Sequence, residues 1–306
     1  MSMPSFSVST VKIPSATPGW TLDAWKYLPS TQNPDATKPC PVIVMAHGFS
    51  ANKLMALSPY GEAFASAGYG CVVFDYRRWG KSDGTPRHAL YVSEQLEDYR
   101  TVIKWARQQP EFDPQRIVVW GSSFSGGHAV TLASEANLSL AAAMGQCAFV
   151  GASLIKLNFA TIKGVVYGIA DLVKQAIGLA PVYIPAAAQP GEVGGLTAPG
   201  TVEGLSVLCK DPKDYPNEIT ASSLLKVPFY HPNATAHKIE CPLLLLIPEA
   251  DNLCSPEAAL EVVKKTKNGE AVRTTGGHFD LYPNTIGHEK ALKAQLDFLR
   301  KHVPVS

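Results

Sequence analysis

Arg116-Ile-Val-Val-Trp-Gly-Ser-Ser-Phe-Ser-Gly-Gly-His128 decides how the rest of this chain reads. Ile117 to Trp120 is a short apolar, β-branched run, the pattern of a buried strand. It breaks at Gly121, and from Phe124 a helical pattern carries Val130, Leu132 and Ala133. A serine on a sharp strand-to-helix turn is the nucleophile elbow, written G-x-S-x-G. Here the pentapeptide is Gly121-Ser122-Ser123-Phe124-Ser125, with the last glycine slipped to Gly126 and Gly127. The strained turn leaves no room for large side chains on either side of the serine, and Ser125 is small enough to comply. An ordinary Gly/Ser turn opening a helix has the same composition, so the remaining chain must decide between them.

Outward from the elbow, the same strand signature recurs. Residues 5–13 and 20–28 alternate apolar and polar positions around a turn, which predicts an antiparallel hairpin at a sheet edge. Pro41 to Ala46, Cys71 to Asp75, a stretch around Leu140–Cys147, Cys241 to Ile247 and Glu270 to Thr274 read as further strands. Helices are expected at 59–67, 93–108, 256–267 and 285–302. Strands alternating with helices predict an α/β fold with a mostly parallel, doubly wound sheet. Between 150 and 238 the rhythm fails. Residues 153–177 suggest one or two apolar helices broken by Lys156, Lys163, Asp171 and Lys174, and 178–204 is rich in Gly, Pro and Ala. The expected organisation is a core of 1–149 and 239–306 with 150–238 inserted as a helical cap over the sheet's ligand edge.

Composition narrows the function classes. The 306 residues carry 27 basic and 26 acidic side chains, net +1, which gives no electrostatic case for nucleic acid or an anionic membrane. Cys40, Cys71, Cys147, Cys209, Cys241 and Cys254 form no C-x-x-C pair, and three lie in or beside apolar runs. With no signal-peptide pattern and no run of about 18 apolar residues, the expected setting is the reduced cytoplasm, with no transmembrane segment. The expected partner is a small-molecule substrate; no cofactor and no metal are expected.

In a doubly wound sheet, ligands sit beyond the carboxyl ends of the strands. The residues just past those ends are His47-Gly48-Phe49-Ser50, Asp75, Ser123, Asp251 and His278. A serine hydroxyl needs a base to take its proton, and the base needs an orienting acid. His278, in Gly276-Gly277-His278-Phe279, supplies the imidazole, and Asp251 comes after the preceding strand. Asp251 also stands where a cap for the helix beginning near Pro256 would stand, and Glu249 is an alternative acid closer to the strand's end. The order Ser…Asp…His is the α/β-hydrolase order. Two donors for a developing oxyanion are expected from the backbone N–H groups of Phe124 and Phe49. His47 is expected to shape its turn, and Asp75 to anchor the loop after it through Arg77 or Arg78.

With these residues placed, the chain resembles the α/β-hydrolase superfamily over nearly its whole length, most strongly at Pro41–Arg87, Arg116–His128 and Cys241–His278. Phe74-Asp-Tyr-Arg-Arg-Trp-Gly-Lys-Ser-Asp-Gly84 looks like a stretch of dienelactone-hydrolase-like and prolyl-peptidase-related serine hydrolases, which combine an HGF loop with a GxSxxGG elbow. Two positions depart: Ser125 replaces the usual glycine, and Arg78 replaces the glycine common after the first arginine. The resemblance implies Ser123 as nucleophile, Asp251 as acid, His278 as base, and Phe49 and Phe124 as oxyanion donors. Hydrolysis of an ester, lactone or thioester of a small to medium hydrophobic substrate is the leading expectation, with Leu154, Ile155, Val165, Val166, Tyr167 and Ile169 as the apolar part of the cap. The same triad serves peptidases, C–C hydrolases, cyclases and acyltransferases. A non-catalytic ligand receptor on this fold is the alternative of another class.

Overall fold

The structure is a computed structural model that describes residues 6–30, 39–151 and 159–305. The chain opens with β1 (Phe6–Pro14) and β2 (Thr21–Pro29), an antiparallel hairpin in register from Phe6 opposite Pro29 to Pro14 opposite Thr21. Next come β3 (Cys40–Ala46), α1 (Ser58–Ser66), β4 (Gly70–Phe74), α2 (Val92–Ala106), β5 (Phe112–Ser122), α3 (Phe124–Ala133) and β6 (Ala142–Gln146). There the chain leaves the sheet as α4 (Phe159–Ala176), β7 (Tyr183–Pro185), α5 (Thr201–Leu208) and β8 (Glu218–Thr220), succeeded by short 3-10 turns. It returns with β9 (Leu243–Pro248), α6 (Pro256–Lys265), β10 (Gly269–Thr274) and α7 (His288–His302).

The main sheet has the order β1-β2-β4-β3-β5-β6-β9-β10. All pairs from β4 to β10 are parallel, and β2 joins β4 antiparallel. Because side chains alternate along a strand, each central strand feeds two cores. Val44, Val72, Val119 and Leu245 pack on one face with α2, α3 and α6. Met45, Val73, Trp120 and Leu246 pack on the other with α1 and α7. Burial on both faces is why these strands read as unbroken apolar runs.

Four local expectations change. Strand β5 begins at Phe112 rather than Ile117, because Phe112 pairs with Cys40 before a bulge shifts the register. Helix α7 begins at His288 rather than 285. The stretch between 150 and 238, where the strand rhythm fails and no clean strand is expected, holds β7 and β8, an antiparallel pair too short to show a period. Lys163, Asp171 and Lys174 do not interrupt α4, which is one continuous helix. Asp171 is fully buried and accepts from the N–H groups of Val182 at 2.7 Å and Ser222 at 2.9 Å, pinning the helix to the chain beyond it. Lys156, with Leu154 and Ile155, lies outside the described residues.

Candidate active site

Strand β5 ends against a turn that only certain residues permit. Ser123 adopts φ 57°, ψ −119°, a strained conformation for a non-glycine residue. A Cβ at Gly121 would stand 2.0 Å from the Ser125 carbonyl oxygen, so this glycine is obligatory. At Gly126 a Cβ would meet the Ala148 Cβ at 2.8 Å, and at Gly127 the Phe149 carbonyl oxygen at 2.1 Å. The displaced glycines therefore let α3 lie against the segment after β6. Ser125 is instead turned into the core, 2.9 Å from the Tyr76 hydroxyl and 2.6 Å from that of Tyr99. Tyr99 gives its proton to the Trp120 carbonyl at 2.6 Å, so Ser125 donates to Tyr99 and accepts from Tyr76.

The structure brings Ser123, His278 and Asp251 together. His278 Nε2 is 2.9 Å from Ser123 Oγ, and its Nδ1 lies 3.0 and 2.9 Å from the two carboxylate oxygens of Asp251. The imidazole and carboxylate side chains are only 4 % and 2 % exposed, so this contact works in low dielectric. Asp251 Oδ1 also accepts from the N–H groups of Leu253 (2.9 Å) and Cys254 (2.8 Å), which fixes its orientation. It does not cap α6; Ser255 does, accepting from the Ala258 N–H. Glu249 points away, 3.6 Å from Arg273, with both side chains more than half exposed.

The loop after β3 presses onto the elbow. A Cβ at Gly48 would meet the Ser122 carbonyl oxygen and Ser123 Cβ at 2.8 Å, so glycine alone allows that approach. Among the described residues, no hydrogen bond from the Phe49 or Phe124 N–H is present, and Phe124 opens α3, where the helix dipole favours negative charge. His47 shapes the turn: Nδ1 accepts from the Gly48 N–H at 2.7 Å, Nε2 donates to the Met55 carbonyl at 2.9 Å, and the ring stacks on Tyr282. Burial holds its pKa down at about 4, so the ring is neutral and both nitrogens are engaged.

Asp75 anchors its loop, though not through Arg77 or Arg78. Arg77 pairs with Asp98 and Glu97, and Arg78 with Glu94. Asp75 instead takes the buried Lys53 ammonium at 2.5 Å and the N–H groups of Lys53 and Lys81. Proximity in sequence favours the arginines; Lys53, 22 residues upstream, leaves no local signal.

Sequence reasoning also missed how the 150–238 segment reaches the site. A Cβ at Gly195 would be 2.7 Å from the Phe49 ring, and one at Gly204 would be 2.2 Å from the Phe279 ring. Asn252 donates to the Pro199 carbonyl at 3.0 Å. Phe124, next to Ser123, meets the Phe49 ring edge-on and the Phe149 ring at a tilt, and Phe279 packs edge-on against His278. Conversely, Val165, Val166 and Ile169 of α4, expected in an apolar cap lining, are 45 %, 57 % and 54 % exposed. As for metals, ligand atoms of Asp251, Cys254 and His278 lie within 4.8 Å of one another, but the first and last are hydrogen-bonded to each other. Burial pushes the Cys254 thiol well above its usual pKa, which keeps it a neutral neighbour rather than a rival nucleophile.

Comparison with known proteins agrees with this fold. The sequence model of the X-Pro dipeptidyl-peptidase (S15) family matches residues 19–156. The quorum-quenching protein AidA of Acinetobacter baumannii is 34% identical over 285 residues, 92% of this chain and 91% of its own. The polyketide transferase GrgF of a Penicillium species is 26% identical over 93% of this chain and 94% of its own. The crystal structure of GrgF, described as an alpha/beta hydrolase, superposes with a TM-score of 0.81 over 97% of this chain and 99% of that one, at 24% identity.

Proposed function

Because this chain belongs to the α/β-hydrolase superfamily, we propose that it is a cofactor-independent serine hydrolase with Ser123 as nucleophile, His278 as base and Asp251 as orienting acid. The observation that carries the proposal is the unbroken contact from Ser123 Oγ through His278 to a buried Asp251. In the first step Ser123 Oγ attacks a carbonyl carbon while its proton passes to His278 Nε2. The carbonyl oxygen becomes an oxyanion facing the N–H groups of Phe49 and Phe124. The leaving group departs with the proton from Nε2, and an acyl-enzyme remains. Water then gives its proton to His278, attacks the same carbon, and the acid is released as Ser123 recovers its hydrogen.

Esters, thioesters and lactones rank above amides, because their leaving groups need less help from His278. A largely hydrophobic acyl group suits the phenylalanines around the elbow. Residues 150–238 act as a cap, and the contacts of Gly195 with Phe49 and Gly204 with Phe279 support that reading. One observation favours a second outcome for the same acyl-enzyme. GrgF is named a polyketide transferase, so a hydroxyl or thiol acceptor in place of water is the next reading.

The test is intact mass after treatment with a fluorophosphonate probe. One adduct is expected on wild type, none on Ser123→Ala, and labelling slowed at least about 100-fold on His278→Ala. Ester, thioester and lactone panels, with and without an added alcohol, then separate hydrolysis from transfer. Folded wild type that takes no adduct would overturn the proposal and leave a ligand receptor as the better reading.

A further inference from the structure

Helix α4 turns its polar side inward. Gly168, where a Cβ would be 2.9 Å from Leu225, shares that side with Asp171 and Gln175, which bond the chain beneath them. The outward side carries Ile162, Val165, Val166, Ile169, Leu172 and Val173, each between 45 % and 57 % exposed. Placed at 100° per residue, they share an arc of roughly 120° with no charged side chain inside it. With Phe159 at one end, the exposed fractions amount to roughly 700 Å² over about 22 Å of helix. That exceeds the ~300–600 Å² of the largest apolar patch on a typical monomer and approaches the ~800 Å² that each partner contributes to a standard interface.

We propose that this face of α4 is covered by the same face of a second copy of the chain, in an isologous pair whose two-fold axis passes near Ile169. Such an interface needs a surface complementary to itself. An uncharged stripe centred near Ile169 meets that condition, since pairing it antiparallel with itself buries no unpaired charge. A lipid surface is the other natural cover for an amphipathic helix, and it favours cations along both borders of the apolar face. Here Lys163 and Lys174 are eleven residues apart, which places them on the same border, and Lys163 is drawn over the Tyr167 ring at 5.6 Å. The opposite border, at Val165 and Leu172, has no cation.

Sedimentation velocity between about 1 and 100 µM tests this on the full chain, independently of activity. Wild type is expected to sediment as a dimer. Val166→Glu with Ile169→Glu is expected to weaken dimerisation at least 100-fold while leaving the fluorophosphonate reactivity of Ser123 in place, which confirms the fold. Val207→Glu, on α5 at a position 78 % exposed, is the control and should remain dimeric. A wild type that is monomeric at 100 µM overturns the proposal. So does a dimer that survives both glutamates, or a monomer that co-sediments with phosphatidylglycerol vesicles, which would assign the face to lipid.

Discussion

Replacing Ser125 by the glycine usual at that elbow position should weaken this protein. Tyr76 is buried, and its hydroxyl loses the Ser125 oxygen 2.9 Å away. An orphaned buried hydroxyl costs about 1–3 kcal/mol. Tyr99 keeps the Trp120 carbonyl and so suffers less. Glycine in the first turn of α3 adds about 0.5–1 kcal/mol of backbone entropy. The expected loss for Ser125→Gly is therefore about 1.5–4 kcal/mol, or roughly 2–6 °C in Tm for a chain of this size. Urea unfolding monitored by circular dichroism measures it. Tyr76→Phe in the Ser125→Gly background removes the orphan, so it should recover about 1 kcal/mol, whereas Tyr76→Phe alone should cost about as much. Ser123 should keep its probe reactivity within about threefold, because Gly121 and Gly48, not Ser125, govern the approach of the chain to it. A loss below about 0.5 kcal/mol, or no recovery in the double variant, refutes the account of why the glycine moved.

The acid assignment and the buried histidines give two further predictions. Asp251→Asn should lower kcat on a cleaved ester by about 10³–10⁴-fold, since the imidazole loses its tautomer and its counter-charge. Glu249→Gln should stay within about twofold; a larger fall for Glu249 than for Asp251 would exchange their roles. His47 and His128 are buried neutral, with pKa values held down at about 4 and about 3 by burial. An unfolded histidine takes its proton near pH 6.5, so below that pH the unfolded chain binds protons that the fold refuses, and stability falls as pH falls. The slope approaches about 3 kcal/mol per pH unit, with about 4 kcal/mol lost at pH 5. Urea midpoints at pH 7, 6 and 5 check this, and a flat profile would mean that neither ring is buried neutral.

The sequence makes legible whatever a side chain's own neighbours dictate. β3, β4, β9 and β5 from Ile117 onward are buried on both faces, so their apolar runs carry the sheet. Ser123, Asp251 and His278 each come after a strand, so topology alone puts them at one edge. Signals that depend on distant partners are not legible. Lys53 beneath Asp75 and the tyrosines beneath Ser125 are 22 to 49 residues from the groups they serve. Periodicity says that α4 has an apolar face but not what covers it, because a face bound for the core and one bound for a partner are written alike. Asp171 reads as a break for the related reason that an acid in an apolar helix has no visible use until Val182 and Ser222 arrive to use it.

The Gly-rich stretch between β7 and α5 carries the same lesson into specificity. Read as composition, it is loop. In the fold, Gly195 lets the segment settle on Phe49, the proposed oxyanion donor, and Gly204 lets α5 settle on Phe279, beside the imidazole of His278. A side chain at either position would push the segment off an aromatic ring beside Ser123 or His278. The segment thus meets the core through the very residues that flank Ser123 and His278, and under the proposed acyl-enzyme reading the choice of acyl group would depend on how closely two glycines allow it to approach.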